Sequence, residues 1–539
     1  MRKSGMIVVV ALALVFMLSV SAFAAPKLSP KQEITYNLVT EPRTIDPGLS
    51  NAVVEMNVIL SNFEGLMRLG PGDVPLPGVA QTWEISKDGL TYTFHLRKNA
   101  KWSNGDPVTA ADFEYAWKRA LDPKLAGEYA YQLYYIKNGE AYNTKKITDP
   151  NQIGVKAKDP YTLEVTLEGP CSYFLTLCYF PTLAPLNKKI VEANGEKWAV
   201  DPKTYVGNGP FRLTKWVHNE RMEFEPNPYY WNKKAVKAKK LNYLLVVDQS
   251  ASLAMFESGQ VDFIDDTGIS RPEIPRLQEE GTLKFSPYLG TYYYLFNLKH
   301  EPVKDIRVRQ ALAMAIDRAK LVKFVTKAGE TPAYAFVPNG IPDAAKGTIF
   351  RKVGGNFFKE SVAAAKKLLA EAGYPGGKGL PTIEILYNTS EMHKQMAEAI
   401  QEMWKKNLNI NVTLVNQEWG VYMDNRRQLA YTNVCRAGWI GDYVDPMTFI
   451  DLFTTTSGNN HTGWSNAQYD KLVDIAKSSG DQKVRMKAMH DAESLLMKDM
   501  VIMPVYFYTR PYMMKPWIKN VRQSALGFVD FSRAYVAEH

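Results

Sequence analysis

Apolar residues in this chain switch repeatedly between a spacing of two and a spacing of three to four, over more than five hundred residues, with no low-complexity linker and no repeat. Spacing by two marks half-buried strands and spacing by 3.6 marks amphipathic helices, so the alternation confines the chain to mixed α/β domains. Leu90, Tyr92, Phe94 and Leu96 alternate as a strand, Asn104-Gly105 reads as a turn, and Thr109 with Asp112 reads as a capping box. The helix it opens presents Phe113, Ala116, Trp117 and Ala120 on one face. Two stretches read as βαβ units. In the first, strands at 241–246 and 261–264 flank a helix over 249–257 that Gly259 ends. In the second, Ile383, Ile385 and Tyr387 precede a helix running to about Lys406, and Ile410, Val412 and Leu414 follow it. Val308, Leu312, Ala315 and Ile316 form one helical stripe, and Val362, Ala365, Leu368 and Ala372 another, closed by Gly373 and Pro375.

Ahead of this pattern lies a different one. Arg2 and Lys3 precede an uninterrupted apolar run from Met6 to Leu18, and Ala22-Phe23-Ala24 follows with the small-x-small spacing of a signal-peptidase site. The run falls short of the roughly 20 apolar residues that span a bilayer. Residues 1–24 are therefore expected to be a cleaved secretory signal. No cysteine stands near Ala25 to accept a lipid, so the expected product is free in the periplasm rather than anchored.

Composition excludes several function classes. Apolar and charged contents of 46% and 22% are those of an ordinary globular protein. The formal charge is +9, of which Arg2 and Lys3 supply two. Its densest basic cluster, Lys233, Lys234, Lys237, Lys239 and Lys240, has no accompanying aromatic motif for stacking bases, so it reads as a solvated loop and no nucleic-acid partner is expected. There is no phosphate-cradling G-x-x-x-x-G-K-[ST], no H-E-x-x-H and no G-x-S-x-G. The seven histidines are isolated, and no two have the i, i+4 spacing of a metal pair. Cys171, Cys178 and Cys435 read as small buried residues, and Met486, Met489, Met497, Met500 and Met503 as core. A binding protein without cofactor or metal is the expectation, and not an enzyme.

Aromatic residues make up 12% of the chain and gather in Tyr292-Tyr293-Tyr294 and Tyr506-Phe507-Tyr508. Such rings offer wide contact with a hydrogen-bonding tip. Alternation along a strand turns at least one ring of each run toward whatever borders it, a cleft or a core.

These residues carry a resemblance. Pro77-Gly78-Val79-Ala80 before Trp83-Glu84, Lys101-Trp102-Ser103-Asn104-Gly105, Val108-Thr109-Ala110-Ala111-Asp112-Phe113, Gly207-Asn208-Gly209-Pro210-Phe211, Asn227-Pro228-Tyr229-Tyr230-Trp231 and Val308 to Arg318 are similar to the ordered motifs of peptide and oligopeptide solute-binding proteins of ATP-driven importers, solute-binding family 5. The resemblance implies a two-lobed α/β fold of the periplasmic-binding-protein type, in its large three-domain variety, with mixed sheets and a hinge. It implies domain I over 25–63, 188–289 and 510–539, domain II over 64–187 and domain III over 290–509. It further implies a monomer that captures short peptides and delivers them to the permease and ATPase of an ABC importer. A murein tripeptide, dipeptide, nickel chelate or oligosaccharide is the alternative ligand on the same fold.

By residue type alone, Asp442 reads as a turn or cap residue of a Gly-Asp-Tyr loop. Within Arg436-Ala437-Gly438-Trp439-Ile440-Gly441-Asp442-Tyr443 it matches the family's anchor for a ligand α-ammonium. The resemblance makes Arg436 and Arg426 receivers of a peptide carboxylate, with one residue more between them than the family pattern has. Trp419, Trp439, Tyr129, Tyr288, Tyr293 and His393 match pocket-wall positions, Tyr508 joins them from its aromatic run, and Val53 matches a residue whose backbone pairs with the ligand. Two departures stand out. Gly290 and Ile440 occupy positions that a disulfide joins in enteric members, so rigidity there must come from packing. A ligand-facing tyrosine is replaced near Asp265-Asp266, which raises the expectation of a preference for basic peptides.

Overall fold

The computed structural model describes residues 27–539, Ser172 excepted. The expected signal at 1–24 lies outside the described residues.

A seven-stranded mixed sheet runs in the order Lys284–Ser286, Arg510–Met514, Phe263–Asp265, Glu33–Asn37, Lys240–Leu244, Arg221–Pro226, Phe211–Val217. The first βαβ unit lies at its centre. Its helix, Gln249–Glu257, is capped by Asp248, whose carboxylate accepts the Ala251 N–H. Its two strands are not neighbours, because Glu33–Asn37 slots between them, parallel to both. Ile34 and Tyr36 on that inserted strand are buried, as the core side of a sheet interior requires.

A four-stranded antiparallel sheet, Ala80–Ile85, Thr91–Leu96, Thr162–Thr166 and Val155–Asp159, packs onto this part of the chain. The capping box is formed: Asp112 accepts the Thr109 N–H at 2.7 Å and starts the helix Ala110–Ala120, with Phe113 and Trp117 fully buried. One buried carboxylate ties the helix Ala110–Ala120 to the loop that follows Glu33–Asn37. Asp46 receives Arg119 at 2.7 Å and the Trp198 indole at 3.1 Å, while Phe63 meets Trp102 and Trp198 edge-on. Together the two sheets make the first lobe.

The second lobe is built on a six-stranded sheet: Thr331–Pro332, Ile502–Phe507, Gly290–Phe296, Val434–Ile440, Ile383–Asn388, Val412–Gln417. Here the second βαβ unit keeps its strands adjacent and parallel, joined by the helix Glu391–Leu408. Its last strand starts at Val412, because Asn409 in a left-handed conformation ends the helix and leaves Ile410 buried just before the ladder. The stripes around Val308 and Ala365 lie on the helices Ile306–Met314 and Val362–Glu371, which cover this lobe. The three cysteines are buried and unbonded, and the five methionines singled out above are buried.

The chain crosses between the lobes twice, in antiparallel connections that each join a strand of one sheet to a strand of the other. It leaves the first sheet after Ser286, enters the second at Gly290, and returns between Phe507 and Arg510. The Tyr508 N–H donates to the Gly290 carbonyl at 3.0 Å within this pair of crossings. Gly290 faces Ile440 across the ladder, and a Cβ on Gly290 would lie 2.3 Å from Ile440 Cδ1 and 2.8 Å from the Trp439 carbonyl oxygen. The isoleucine thus fills the space the glycine leaves. Gly290→Ala is expected to lower stability by about 1–3 kcal/mol through overpacking, read from urea midpoints, with part restored by Ile440→Ala in the same chain. An unshifted midpoint would refute this account of the crossing.

Candidate functional site

Between the lobes lies a cavity of about 430 Å³, within the usual size of ligand pockets. Ten of the expected site residues line it: Val53, Tyr129, Tyr288, His393, Trp419, Arg426, Arg436, Trp439, Asp442 and Tyr508. Tyr293 does not. Alternation on the strand Gly290–Phe296 turns its ring away, edge-on to Phe336 at 5.1 Å, and sets its neighbour Tyr292 beside Arg436 and His393.

Asp442 follows the end of the strand Val434–Ile440, fixed by its own N–H donating to Thr448 at 2.9 Å and by Tyr179 donating to its carbonyl at 2.6 Å. Its carboxylate is 4% exposed and accepts from Tyr129 at 3.1 Å and Gln132 at 2.7 Å. Those donors sit three apart on the 3₁₀ helix Glu128–Leu133, whose three residues per turn bring them onto one side. Both come from the first lobe, so closure completes the carboxylate's surroundings. No cation stands within ion-pair distance of Asp442 among the described residues. Burial, and then the charge of Asp451, push its pKa well above the usual carboxylate range.

The opposite charge is also unmatched. Arg436 donates to Tyr508 at 3.0 Å and lies 4.8 Å above the Tyr292 ring, and Arg426 donates to His461 at 3.0 Å. Neither has a carboxylate partner among the described residues. His393, buried between Arg436 and Arg271, is held neutral by burial and by those two guanidiniums. Asp265 and Asp266, by contrast, are already paired, with Arg510 at 2.9 Å and Arg271 at 2.6 Å. Neither is free for a basic ligand side chain, so the expected preference for basic peptides loses its basis.

The backbone contributes as well. Val434–Ile440 is bonded along one edge to Gly290–Phe296, but on its other edge pairing with Ile383–Asn388 stops at Cys435. The Gly441 N–H donates to Leu289, so by the period of an antiparallel ladder the peptide groups of Gly438 and Ile440 turn the other way, to the cavity wall. Gly438 makes room for the Tyr508 hydroxyl, which a Cβ there would meet at 2.5 Å. Around the edge, the indole N–H groups of Trp419 and Trp439, Arg436 Nε and Asn459 Nδ2 are buried donors without acceptors among the described residues. On the first-lobe side, Asn51 Oδ1 and Gln249 Oε1 are buried acceptors without donors.

Gln132, Tyr179, Thr448 and Gly438 escaped sequence reasoning. Only the spacing of Gln132 from Tyr129 could have signalled one of them. Beneath the anchor, Asp451 is fully buried and 3.7 Å from Lys477, and burial pushes its pKa up to about 6. A raised folded-state value means that this group's contribution is intact near pH 4 and is lost as pH rises to about 6. Asp451→Asn is therefore expected to gain up to about 3 kcal/mol on the parent between pH 4 and pH 8, compared by urea unfolding of ligand-free protein. A pH-independent difference would refute the assignment.

Comparison with known proteins gives one answer. Residues 74–461 match the profile described as "Bacterial extracellular solute-binding proteins, family 5 Middle". The chain is 40% identical over 515 residues to a dipeptide-binding protein, DppE, of Bacillus subtilis, covering 94% of this chain and 92% of that one. It is 38% identical over 526 residues to the periplasmic oligopeptide-binding protein OppA of Salmonella typhimurium, covering 96% and 94%. The crystal structure of Haemophilus influenzae OppA in complex with the peptide RPPGFSPFR superposes with a TM-score of 0.87 at 36% identity, covering 95% of this chain and 100% of that one.

Proposed function

Because this chain belongs to the bacterial extracellular solute-binding proteins of family 5, we propose that its cleft captures short peptides outside the cytoplasmic membrane and that the closed form delivers them to an ATP-driven importer. The observation that carries this reading is the free strand edge at Gly438–Ile440 ending on Asp442. An extended peptide laid on that edge gains main-chain hydrogen bonds that do not depend on its sequence. Its ammonium then meets Asp442, and its carboxylate meets Arg436 or Arg426. Taking such charges out of water costs several kcal/mol each unless a partner receives them, so anchor and ligand need one another. The unpartnered donors of the second lobe and acceptors of the first suit a chain that alternates carbonyl and N–H groups.

The same proposal includes an exported, unanchored monomer, a permease and ATPase as partners, no chemistry on the ligand, and domains divided near 63, 187, 289 and 509. A second reading, a murein tripeptide, draws on the two unmatched arginines, which suit a ligand bearing more than one carboxylate. A nickel chelate or oligosaccharide would leave Asp442 without its cation.

Calorimetry on refolded, ligand-stripped protein tests the reading with tri- to pentapeptides and their amino-acetylated forms. Free peptides are expected to bind and acetylated ones to fail. Asp442→Ala is expected to weaken binding by about 2–5 kcal/mol, as when one partner of a buried charged pair is removed. Unchanged affinity in a folded variant would dismiss the anchor, and binding of neither set by the folded parent would dismiss peptides as the ligand. Adding a glutamate side chain to the peptide is expected to strengthen binding in the parent and to lose that benefit in Arg426→Gln. An equal gain in both would leave Arg426 no part in the second reading.

A further inference from the structure

Apart from the Asp442 anchor, the lobes meet at a second polar contact. Glu128 opens the 3₁₀ helix on the first lobe, and its side chain is 6% exposed. From its own lobe it receives the Asn51 amide at 2.7 Å, with Arg43 at 3.9 Å. From the second lobe come Arg427 at 3.4 Å and His461 Nε2 at 3.7 Å. The backbones are equally close. A Cβ on Gly127 would lie 2.3 Å from the Gly48 carbonyl oxygen, and one on Gly458 would lie 2.9 Å from that of Glu128. Glycines on both sides thus let the first lobe hold Glu128 while the second lobe closes onto it.

His461 links this contact to the cavity. Its Nδ1 accepts the Arg426 Nε–H at 3.0 Å, so its proton sits on Nε2, the nitrogen aimed at Glu128. The ring is neutral, because burial and then Arg426 and Arg427 lower its basicity well below the ordinary value. Closure therefore gathers three guanidiniums, on Arg43, Arg426 and Arg427, around Glu128, Glu55, which lies 3.6 Å from Arg43, and Asp424, which lies 3.3 Å from Arg427. Arg43 and Arg427 each have a carboxylate from their own lobe, and the unmatched member is the arginine on the cavity wall.

We propose that Glu128, His461 and Arg427 form a latch across the cleft whose closing is completed by a ligand carboxylate on Arg426. The latch rests on the peptide reading for its ligand but not for its mechanics. Without a carboxylate, closure buries Arg426 with its charge unmatched, and that cost opposes closure. With one, Arg426 is matched, and Glu128 is left to hold Arg427 and the histidine. Truncating a close pair of this kind acts on release rather than on capture.

The test is stopped-flow release of trialanine and tetraalanine, as free acids and as carboxyl-terminal amides, with small-angle scattering of the peptide-free protein in acetate alongside. Glu128→Gln is expected to speed release of the acids about tenfold or more, with little change in the association rate, and to speed release of the amides far less. Arg427→Gln is expected to behave alike, and the double variant to release no faster than either. His461→Gln, which keeps an amide donor near Nε2, is expected to release more slowly than His461→Ala. If Glu128→Gln fails to fold, Glu128→Asp serves, because it withdraws the carboxylate by one methylene. Equal acceleration of acids and amides would overturn the link to the carboxylate, and unchanged release would overturn the latch. If the parent binds none of these peptides, the peptide reading fails on its own. Scattering then still decides the latch: with acetate supplying a carboxylate to Arg426, a larger radius of gyration for Glu128→Gln than for the parent supports it, and an equal one overturns it.

Discussion

A carboxylate sealed from water among neutral donors governs the cleft. Asp442 stands on the second lobe, but Tyr129 and Gln132, which bond it, stand on the first. The approach that completes its hydrogen bonds therefore also removes its water. Neutral donors recover only part of what hydration gave a full charge. The closed form is thus least favourable when it holds nothing and most favourable when a cation is sealed in with the carboxylate. A ligand shifts the balance of open and closed forms only through such differential interaction, and here the difference is built into one side chain.

The hinge must permit that shift without taking part in it. Two antiparallel strands cross together, and the Gly290–Ile440 contact packs their second-lobe end without a covalent link. Tyr288 and Tyr508 lie in the crossings and also in the cavity wall, with ring centroids 5.5 Å apart. A ligand touching them touches the segments that bend, so the cavity and the hinge are not separable parts.

What the sequence revealed was whatever is local. The capping box at Thr109, the helix of the first βαβ unit and the stripes around Val308 and Ala365 follow from spacing over a turn or two, and spacing survives folding. Family motifs located Asp442 and both arginines. Parity within a run of like residues was not legible: nothing in Tyr292-Tyr293-Tyr294 says which ring faces Arg436, and the resemblance favoured the neighbour whose ring packs on Phe336. Pairing across lobes was not legible either. Asp265 and Asp266 look like a free acidic pair until Arg510 and Arg271 arrive from 245 and 5 residues away. Glu128 gives no local sign that it will meet His461.

The distribution of charge over the two lobes orders the events of binding. Asp442, Arg426 and Arg436 all belong to the second lobe, and all three lack ionic partners among the described residues. The charged groups that the first lobe brings to the cavity, Asp265 with Arg510 and Asp266 with Arg271, are matched internally. Only one wall therefore presents net ionic demand while the cleft is open. On the proposed reading, a zwitterionic ligand is drawn to that wall by its two ends, and the free strand edge between them fixes its backbone. The first lobe then closes with neutral donors, acceptors and aromatic rings, which follow the ligand's shape and main chain rather than its charge. Such a division is strict about termini and lenient about side chains, because the strict contacts sit together on one lobe and the lenient ones on the lobe that moves against it.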